Sequence, residues 1–167
     1  PGDAPDVLVA MNPAALKVHQ QELAPGGTVI CNANAFSPKN LKLAGYEANP
    51  LEDGSLDDYY TVYDVEMSNM VKRACEDMKL PPKTVDRTKN FFALGLLFWI
   101  YDRPMQSTKN WLKVKFAKRP ELVEANARAM DAGYNYGDTT EIFTTRYTVN
   151  KASLPAGTYR NVVGNYA

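Results

Sequence analysis

The sequence has few cysteine and histidine residues. Its 167 residues include only two cysteines, Cys31 and Cys75, and a single histidine, His19. The cysteines are far apart and neither belongs to a CxxC pair, so their spacing predicts neither a zinc site nor an iron–sulfur site. We expect two buried, reduced thiols, although the sequence alone does not exclude a disulfide between them.

The chain also lacks a surplus of either charge, with 19 basic and 19 acidic side chains. Proteins that neutralise a nucleic-acid backbone or bind an acidic membrane usually carry a basic excess. We therefore expect no nucleic-acid partner and no membrane partner. A chain of this length buries roughly two thirds of the surface that its unfolded form exposes, so its core requires no disulfide or metal.

Long apolar runs are absent as well. The most apolar stretch, residues 91–101 (FFALGLLFWIY), has about half of the roughly 20 residues that a membrane-spanning helix needs. We interpret it as a core helix. The first residues, Pro1 to Asp6, have neither the basic region nor the apolar region of a secretory leader, which favours a cytoplasmic location.

The elements that are present begin in the order strand, helix, strand. Asp6–Met11 is a short apolar strand, and Asn12 and Pro13 then form a cap and first turn that start a helix reaching to about Leu23. Gly26 and Gly27 form a turn before the next strand, Thr28–Cys31. Two strands joined by such a helix should lie parallel in one sheet.

In the rest of the chain, strands and helices alternate less regularly, and most of the predicted elements are helices. A strand is predicted over Tyr59–Met67, and helices are predicted over Pro38–Ala44, from a Ser68 cap to before Pro81, over Thr84–Asp102, over Thr108–Lys118, and over Pro120–Ala132 with Gly133 as its end. The predicted fold is a three-layer α/β/α domain with a mostly parallel sheet. Residues 142–167 look like a linker that leaves the domain.

The best candidate site residues are amides at strand ends. Asn12 follows the first strand, and Asn32 and Asn34 follow the second. Ligands of parallel sheets bind outside the carboxyl ends of strands, so these amides are candidates to contact a phosphate or another polar group. Helix capping explains Asn12 equally well.

Two other features carry weaker functional hypotheses. His19 has no serine, cysteine or carboxylate placed beside it by sequence spacing and no GxSxG motif is present, so a surface histidine is favoured over a hydrolase base. The acidic segment Glu52–Asp58 suggests a cation site, but its spacing does not fit an EF-hand and an ordinary turn is favoured.

Five segments, in order along nearly the whole chain, resemble one family. They are similar to the alpha subunit of 2-oxoacid:ferredoxin oxidoreductases of the 2-oxoglutarate type. The segments are Ala4–Leu16 (APDVLVAMNPAAL), Asn49–Leu56 (NPLEDGSL), Lys89–Gly95 (KNFFALG), Lys115–Pro120 (KFAKRP) and Ala132–Glu141 (AGYNYGDTTE).

The resemblance implies a domain organisation. Residues 1–141 would be the gamma domain of that subunit, and residues 142–167 an extended linker and the start of the thiamine-binding pyrimidine-type domain. Residues 157–160 (GTYR) and 164–167 (GNYA) resemble that junction. Family members carry a further strand and a glycine-rich turn before the equivalent of Pro1, so we expect that this chain is a fragment without its first strand.

The resemblance also implies a reaction, namely CoA-dependent oxidative decarboxylation of 2-oxoglutarate to succinyl-CoA with electron transfer to ferredoxin. Thiamine diphosphate, Mg²⁺, [4Fe-4S] clusters and coenzyme A would serve the whole complex. The partners would be the remainder of the alpha subunit, the beta subunit and ferredoxin.

Within this scheme the fragment itself would hold no catalytic residue, no metal ligand and no resident cofactor, and would be inactive alone. Asn12, Asn32 and Asn34 are its candidate contacts to coenzyme A. Trp99, Tyr101 and Trp111 are candidate interface residues, with ordinary core packing as the simpler interpretation. The alternative function is a free-standing α/β module that binds a nucleotide-like ligand near Asn12 and Asn32.

Overall fold

The computed structural model describes residues 4–144, 146–148, 150 and 153–160. Within these residues three strands form one parallel sheet in the order β1, β2, β3. The strands are β1 (Val7–Ala10), β2 (Thr28–Asn32) and β3 (Thr61–Val65). Val7 pairs with Thr28, and Thr28 pairs with Thr61, so the predicted parallel arrangement is confirmed.

Helices follow and flank the strands. They are α1 (Pro13–His19), α2 (Pro38–Leu43), α3 (Met67–Ala74), α4 (Pro82–Arg87), α5 (Lys89–Ile100), α6 (Gln106–Lys115) and α7 (Pro120–Thr140), with short 3₁₀ turns at Gln20–Glu22, Ala33–Ala35 and Glu76–Met78. Among the described residues, no helix combines the length and the apolar character needed to span a bilayer.

The two faces of the sheet are covered by different helices. Val29 and Cys31 point to one side, where they pack in a core that includes Leu16 of α1. Ile30 points to the other side, into the larger core that includes Phe92 of α5. Side chains that alternate between two buried faces define three layers, which confirms the predicted fold class.

The prediction of one helix over Thr84–Asp102 is wrong, because this stretch forms two helices. The α4 helix ends at Arg87 and α5 begins at Lys89, with Thr88 between them. The Thr88 hydroxyl donates a hydrogen bond of 2.7 Å to the carbonyl oxygen of Val85, and the residue is 2% exposed. This short-range bond competes with the regular helical pattern and closes the first helix.

Gly133 does not end a helix, contrary to the prediction. The α7 helix continues to Thr140, and Gly133 lies where α7 touches α5. A Cβ atom on Gly133 would be 1.9 Å from the carbonyl oxygen of Phe92, and one on Gly95 would be 1.9 Å from that of Met130. These glycines allow two backbones to approach closely.

Other predicted boundaries shift by a few residues. The α1 helix ends at His19 and continues as a 3₁₀ turn, β3 is shorter than the predicted strand, and α3 ends at Ala74, well before Pro81. Trp99, which is 7% exposed, belongs to the core, whereas Trp111 is half exposed.

The chain folds back on the domain after α7. Phe143 is 7% exposed in the larger core, and the Tyr147 amide donates a hydrogen bond of 2.7 Å to the carbonyl oxygen of Ile100. The domain boundary at residue 141 stays a prediction, and Phe143 and Tyr147, which follow it, lie against the domain. Residues 164–167, which resemble a domain junction, lie outside the described residues.

Candidate functional site

Asn12 caps the helix that follows it. Its Oδ1 accepts a hydrogen bond of 2.9 Å from the Ala15 amide, and Pro13 occupies the first turn of α1. The side chain is exposed and lines, together with Asn40 and Leu43, an open groove of about 380 Å³ between α1 and α2. Because Oδ1 is used by the cap, the Asn12 amide nitrogen is the group available to a ligand in this groove.

Asn32 and Asn34 bond to a different helix. Asn32 is fully buried, its Nδ2 donates to Ser68 Oγ at 3.2 Å, and its Oδ1 accepts from the Ser68 amide at 3.4 Å. The exposed Asn34 accepts a hydrogen bond of 3.1 Å from the Asn69 amide through its Oδ1. Both amides therefore converge on the first turn of α3.

The side chains of Asn32 and Asn34 cap α3 from outside the helix. Glu66, at the N-cap position of α3, makes no capping bond with its side chain. The first backbone amides of a helix have no partner within the helix, and here those of Ser68 and Asn69 are satisfied by side chains at and just beyond the end of β2. The prediction that Ser68 is the N-cap is wrong, because Ser68 lies inside the first turn and is itself bonded by Asn32.

A polar network extends from this junction to α4 and α5. The Ser68 hydroxyl lies 3.4 Å from Asp86 Oδ1, which it can reach as a donor, and Asp86 Oδ2 accepts a hydrogen bond of 2.7 Å from Lys89 Nζ. Each side chain in this network forms a hydrogen bond with the next one, so the carboxyl end of β2 is fixed to three helices. Sequence reasoning missed this network because its members are up to 57 residues apart in the chain.

The structure therefore separates the three predicted site residues into two groups. Asn12 bonds within α1, and Asn32 and Asn34 bond to α3; among the described residues no hydrogen bond joins Asn12 to the other two. Asn12 and Asn34 follow the carboxyl ends of β1 and β2, whereas Asn32, predicted to follow the second strand, is the last residue of β2. Their contact with a ligand stays a prediction, and it is the exposed pair, Asn12 and Asn34, that solvent or a ligand can reach.

His19 lies on the surface, as the simpler interpretation predicts, but the expectation that no carboxylate is placed beside it is wrong, because Glu22 lies three residues further along the chain. Its side chain is 49% exposed, and Nδ1 is 3.1 Å from Glu22 Oε1. In the described part of the chain no serine or cysteine is hydrogen-bonded to it. A carboxylate beside an exposed imidazole is an ordinary surface pair, and the geometry gives no support to a hydrolase.

The two cysteines lie on opposite sides of the sheet. Cys31 is in the core with α1, Cys75 is in the core with α5, and both thiols are free. Burial, with a smaller contribution from Asp64, raises the pKa of Cys31 to about 12, and burial also raises the pKa of Cys75. An iron–sulfur cluster is bound by several cysteine thiolates that lie close together. Cys31 and Cys75 are separated by the sheet and protonated, so they do not fit such a cluster.

The acidic segment Glu52–Asp58 forms turns held by its own hydrogen bonds. Asp53 Oδ1 accepts a bond of 2.9 Å from the Ser55 amide, and the hydrogen bonds from Ser55 lower the pKa of Asp53. In the part of the chain that the structure describes, no three histidine, cysteine or acidic side chains are grouped so that they could hold a metal ion.

Comparisons with known proteins agree on one family. Residues 1–136 match the family described as pyruvate ferredoxin/flavodoxin oxidoreductase. The chain is 49% identical over 166 residues to the 2-oxoglutarate oxidoreductase subunit KorA of Mycobacterium tuberculosis, an alignment that covers 99% of this chain and 25% of that protein. The chain thus spans about a quarter of the length of this relative.

A solved structure shares the fold. It is the 2-oxoglutarate:ferredoxin oxidoreductase from Magnetococcus marinus with 2-oxoglutarate, coenzyme A and succinyl-CoA bound. The match has a TM-score of 0.57 and 24% sequence identity, and it covers 87% of this chain and 22% of that one. This similarity supports the α/β architecture.

Proposed function

Because this chain belongs to the pyruvate ferredoxin/flavodoxin oxidoreductase family, we propose that it is the gamma domain of the alpha subunit of a 2-oxoglutarate:ferredoxin oxidoreductase. The observation that carries the proposal is the 49% identity to KorA over nearly all of the chain. In the proposed reaction 2-oxoglutarate loses the carboxylate next to its keto group as CO₂, the electrons pass to ferredoxin, and the remaining succinyl group is transferred to coenzyme A.

The chemistry would take place on other parts of the complex. Thiamine diphosphate with Mg²⁺ and the [4Fe-4S] clusters would be held by the rest of the alpha subunit and by the beta subunit, in the cytoplasm. The separated, buried thiols of Cys31 and Cys75 support this assignment, because they do not suit cluster ligation. The gamma domain would pack on the catalytic core and shape access to it.

Coenzyme A is the ligand that we assign to the carboxyl edge of the sheet. The support is the position of Asn12 and Asn34, whose side chains are exposed where open parallel sheets usually bind ligands. An amide N–H can donate a hydrogen bond to a phosphate or carbonyl oxygen without adding charge. The buried Asn32 would act indirectly, by fixing α3 beside this edge.

The test of the function uses the full-length parent of this chain, isolated from its own cells through a tag and kept anaerobic. Reduction of a viologen dye is measured with 2-oxoglutarate and coenzyme A, with pyruvate as the comparison substrate in the same preparation. We expect dye reduction that requires coenzyme A and is faster with 2-oxoglutarate.

Deletion of the gamma domain from the same protein then measures this domain's share of the activity. Dye reduction with neither acid, by a complex shown to contain its cofactors, would overturn the proposal. Faster reduction with pyruvate would keep the enzyme class and reject the substrate.

A further inference from the structure

Basic charge is concentrated in one part of this neutral chain. Residues 103–119 contain six basic side chains and no acidic one: Arg103, Lys109, Lys113, Lys115, Lys118 and Arg119. Since the whole chain has no net charge, the remaining residues carry a matching acidic excess. The segment comprises α6 and its connection to α7, so the positive charge is localised on one region of the domain.

The outer face of α6 combines this charge with exposed apolar side chains. Leu112 is buried, and Lys109 is paired with Asp131 of α7 at 2.6 Å, which fixes the inner side of the helix. Trp111 is 50% exposed and Val114 is 77% exposed. Residues three apart are neighbours on a helix, so the two side chains form one apolar stripe.

Lysines flank this stripe on both sides. At 100° per residue, Lys113 lies on one side of the Trp111–Val114 stripe and Lys115 on the other. Among the described residues, no carboxylate lies within 4 Å of Lys113, Lys115 or Lys118. Their charges are therefore available to a partner.

A small cavity adjoins the end of α6. It has a volume of about 200 Å³ and is bordered by Arg87 and Arg119, by the aromatic side chains of Phe91 and Phe116, and by the buried Asn126. Phe116 and Arg119 also border an open groove of about 320 Å³ that runs back along residues 114–119. The Nε of Arg119 is bonded to Glu121 at 2.9 Å, which leaves its terminal nitrogens free to donate.

We propose that α6, its connection to α7 and the adjoining arginine cavity form a docking surface for an acidic segment of a protein partner. One arginine guanidinium can bind a carboxylate with two parallel hydrogen bonds, and the cavity of about 200 Å³ that Arg87 and Arg119 border has room for one acidic side chain. The apolar stripe of Trp111 and Val114 would contact an aliphatic or aromatic side chain of the same segment, and lysines at the rim would steer its approach.

The same observations disfavour the two other classes of anionic partner. A membrane-binding helix buries a broad apolar face in the lipid interface, whereas α6 exposes two large apolar residues and packs its opposite face on the protein. Nucleic-acid binding usually requires a basic excess over the whole domain, which this chain lacks. This inference does not depend on the proposed reaction.

The test uses the full-length protein and a fluorescently labelled peptide that contains glutamate, aspartate and one leucine. Its matched control has glutamine and asparagine in place of the acids. Binding is measured by fluorescence anisotropy at low and high salt, and a carbodiimide, which joins carboxylates to adjacent lysines, is used to locate the peptide by mass spectrometry. Phosphatidylserine vesicles and duplex DNA are tested in parallel.

We expect the acidic peptide to bind in a salt-sensitive manner and to be cross-linked at Lys113, Lys115 or Lys118. Replacing Lys113→Glu and Lys115→Glu together should weaken binding about tenfold, because two attractions become repulsions. The control variant, Lys39→Glu with Lys42→Glu on α2, makes the same charge change elsewhere and should leave binding unchanged.

Several results would overturn the docking surface. They are equal binding of the uncharged peptide, cross-links confined to other lysines, equal loss in the α2 control, and binding of vesicles or DNA without binding of the acidic peptide. Because every substituted lysine is exposed, the variants should fold, and an unchanged melting temperature verifies this.

Discussion

The ring of Phe143 packs against the ring of Tyr63, with centroids 4.5 Å apart, so the chain is held on β3 just after α7. Trp99 and Tyr136 complete the contact, with their ring centroids 6.0 and 6.4 Å from that of Phe143. Further along, Arg146 lies over the ring of Trp99 at 4.7 Å. The described start of the 142–167 segment is therefore bound to the domain by specific aromatic contacts.

Replacing Phe143→Ala should destabilise the domain by about 3 kcal/mol, because it removes a buried aromatic side chain and leaves a cavity. The free energy of unfolding is measured by urea titration of the chain. The control is Ile142→Ala, at a neighbouring side chain that is 39% exposed, and it should cost well under half as much. Equal effects of the two substitutions would mean that the aromatic contact does not hold the segment.

Replacing Gly133→Ala should destabilise the domain, opposite to the usual effect of this substitution inside a helix. Alanine favours helices over glycine by about 1 kcal/mol. Here, however, a new methyl group would meet the carbonyl oxygen of Phe92 at 1.9 Å and force α7 away from α5. We expect a net loss of about 2 kcal/mol or more.

Thermal unfolding measures this loss, with Asn135→Ala on the exposed side of α7 as the control. That variant should change stability by less than about 0.5 kcal/mol. A rise in melting temperature for Gly133→Ala would show that α5 and α7 separate without cost.

Replacing Asn32→Ala should cost about 2 kcal/mol, because it leaves the buried Ser68 amide without its partner and removes one of the two hydrogen bonds of the Ser68 hydroxyl. Replacing Asn34→Ala removes one bond at an exposed position and should cost about 1 kcal/mol. Hydrogen exchange of the first turn of α3 checks the cause, since both variants should accelerate exchange there. Unchanged exchange at Ser68 and Asn69 would contradict capping from outside the helix.

The local parts of this architecture were predictable from the sequence, and the contacts between distant segments were not. Asn12 and Pro13 signal the start of α1 because a cap and its helix are adjacent in the chain. The cap of α3 gives no such signal, since the Asn34 and Asn32 side chains that form it lie 35 and 36 residues before the backbone amides that they bind. The prediction for Gly133 is wrong because a glycine can end a helix or let two helices touch, and only the packing of α5 on α7 decides between the two roles.

Burial of Cys31 predicts a loss of stability at high pH. The thiol ionises with a pKa of about 12 when folded and near its ordinary value of 9.0 when unfolded. Its contribution to stability is therefore fully present below pH 9.0 and declines as the pH rises from there towards 12. The expected decline is about 1.4 kcal/mol for each pH unit above 9.

Other groups titrate in the same range, so the measurement compares the chain with its Cys31→Ala variant at several pH values. The variant should be less stable at neutral pH, since it leaves a small cavity, and the difference between the two proteins should shrink as the pH rises. A constant difference would contradict the raised pKa. In the native protein, both thiols should react with iodoacetamide only after unfolding.

The proposed coenzyme A contact can be separated from the capping role of Asn12. Serine also caps helices well, so Asn12→Ser should keep α1 intact while removing the amide nitrogen that would reach the ligand. In the full-length enzyme, Asn12→Ser combined with Asn34→Ala should raise the KM for coenzyme A about tenfold and leave kcat nearly unchanged, because the lost hydrogen bonds stabilise ground state and transition state equally. Asn135→Ala, far along the chain on α7, is the control and should change neither constant. An unchanged KM in the double variant, with the dye-reduction activity intact, would mean that the proposed enzyme binds coenzyme A without these amides.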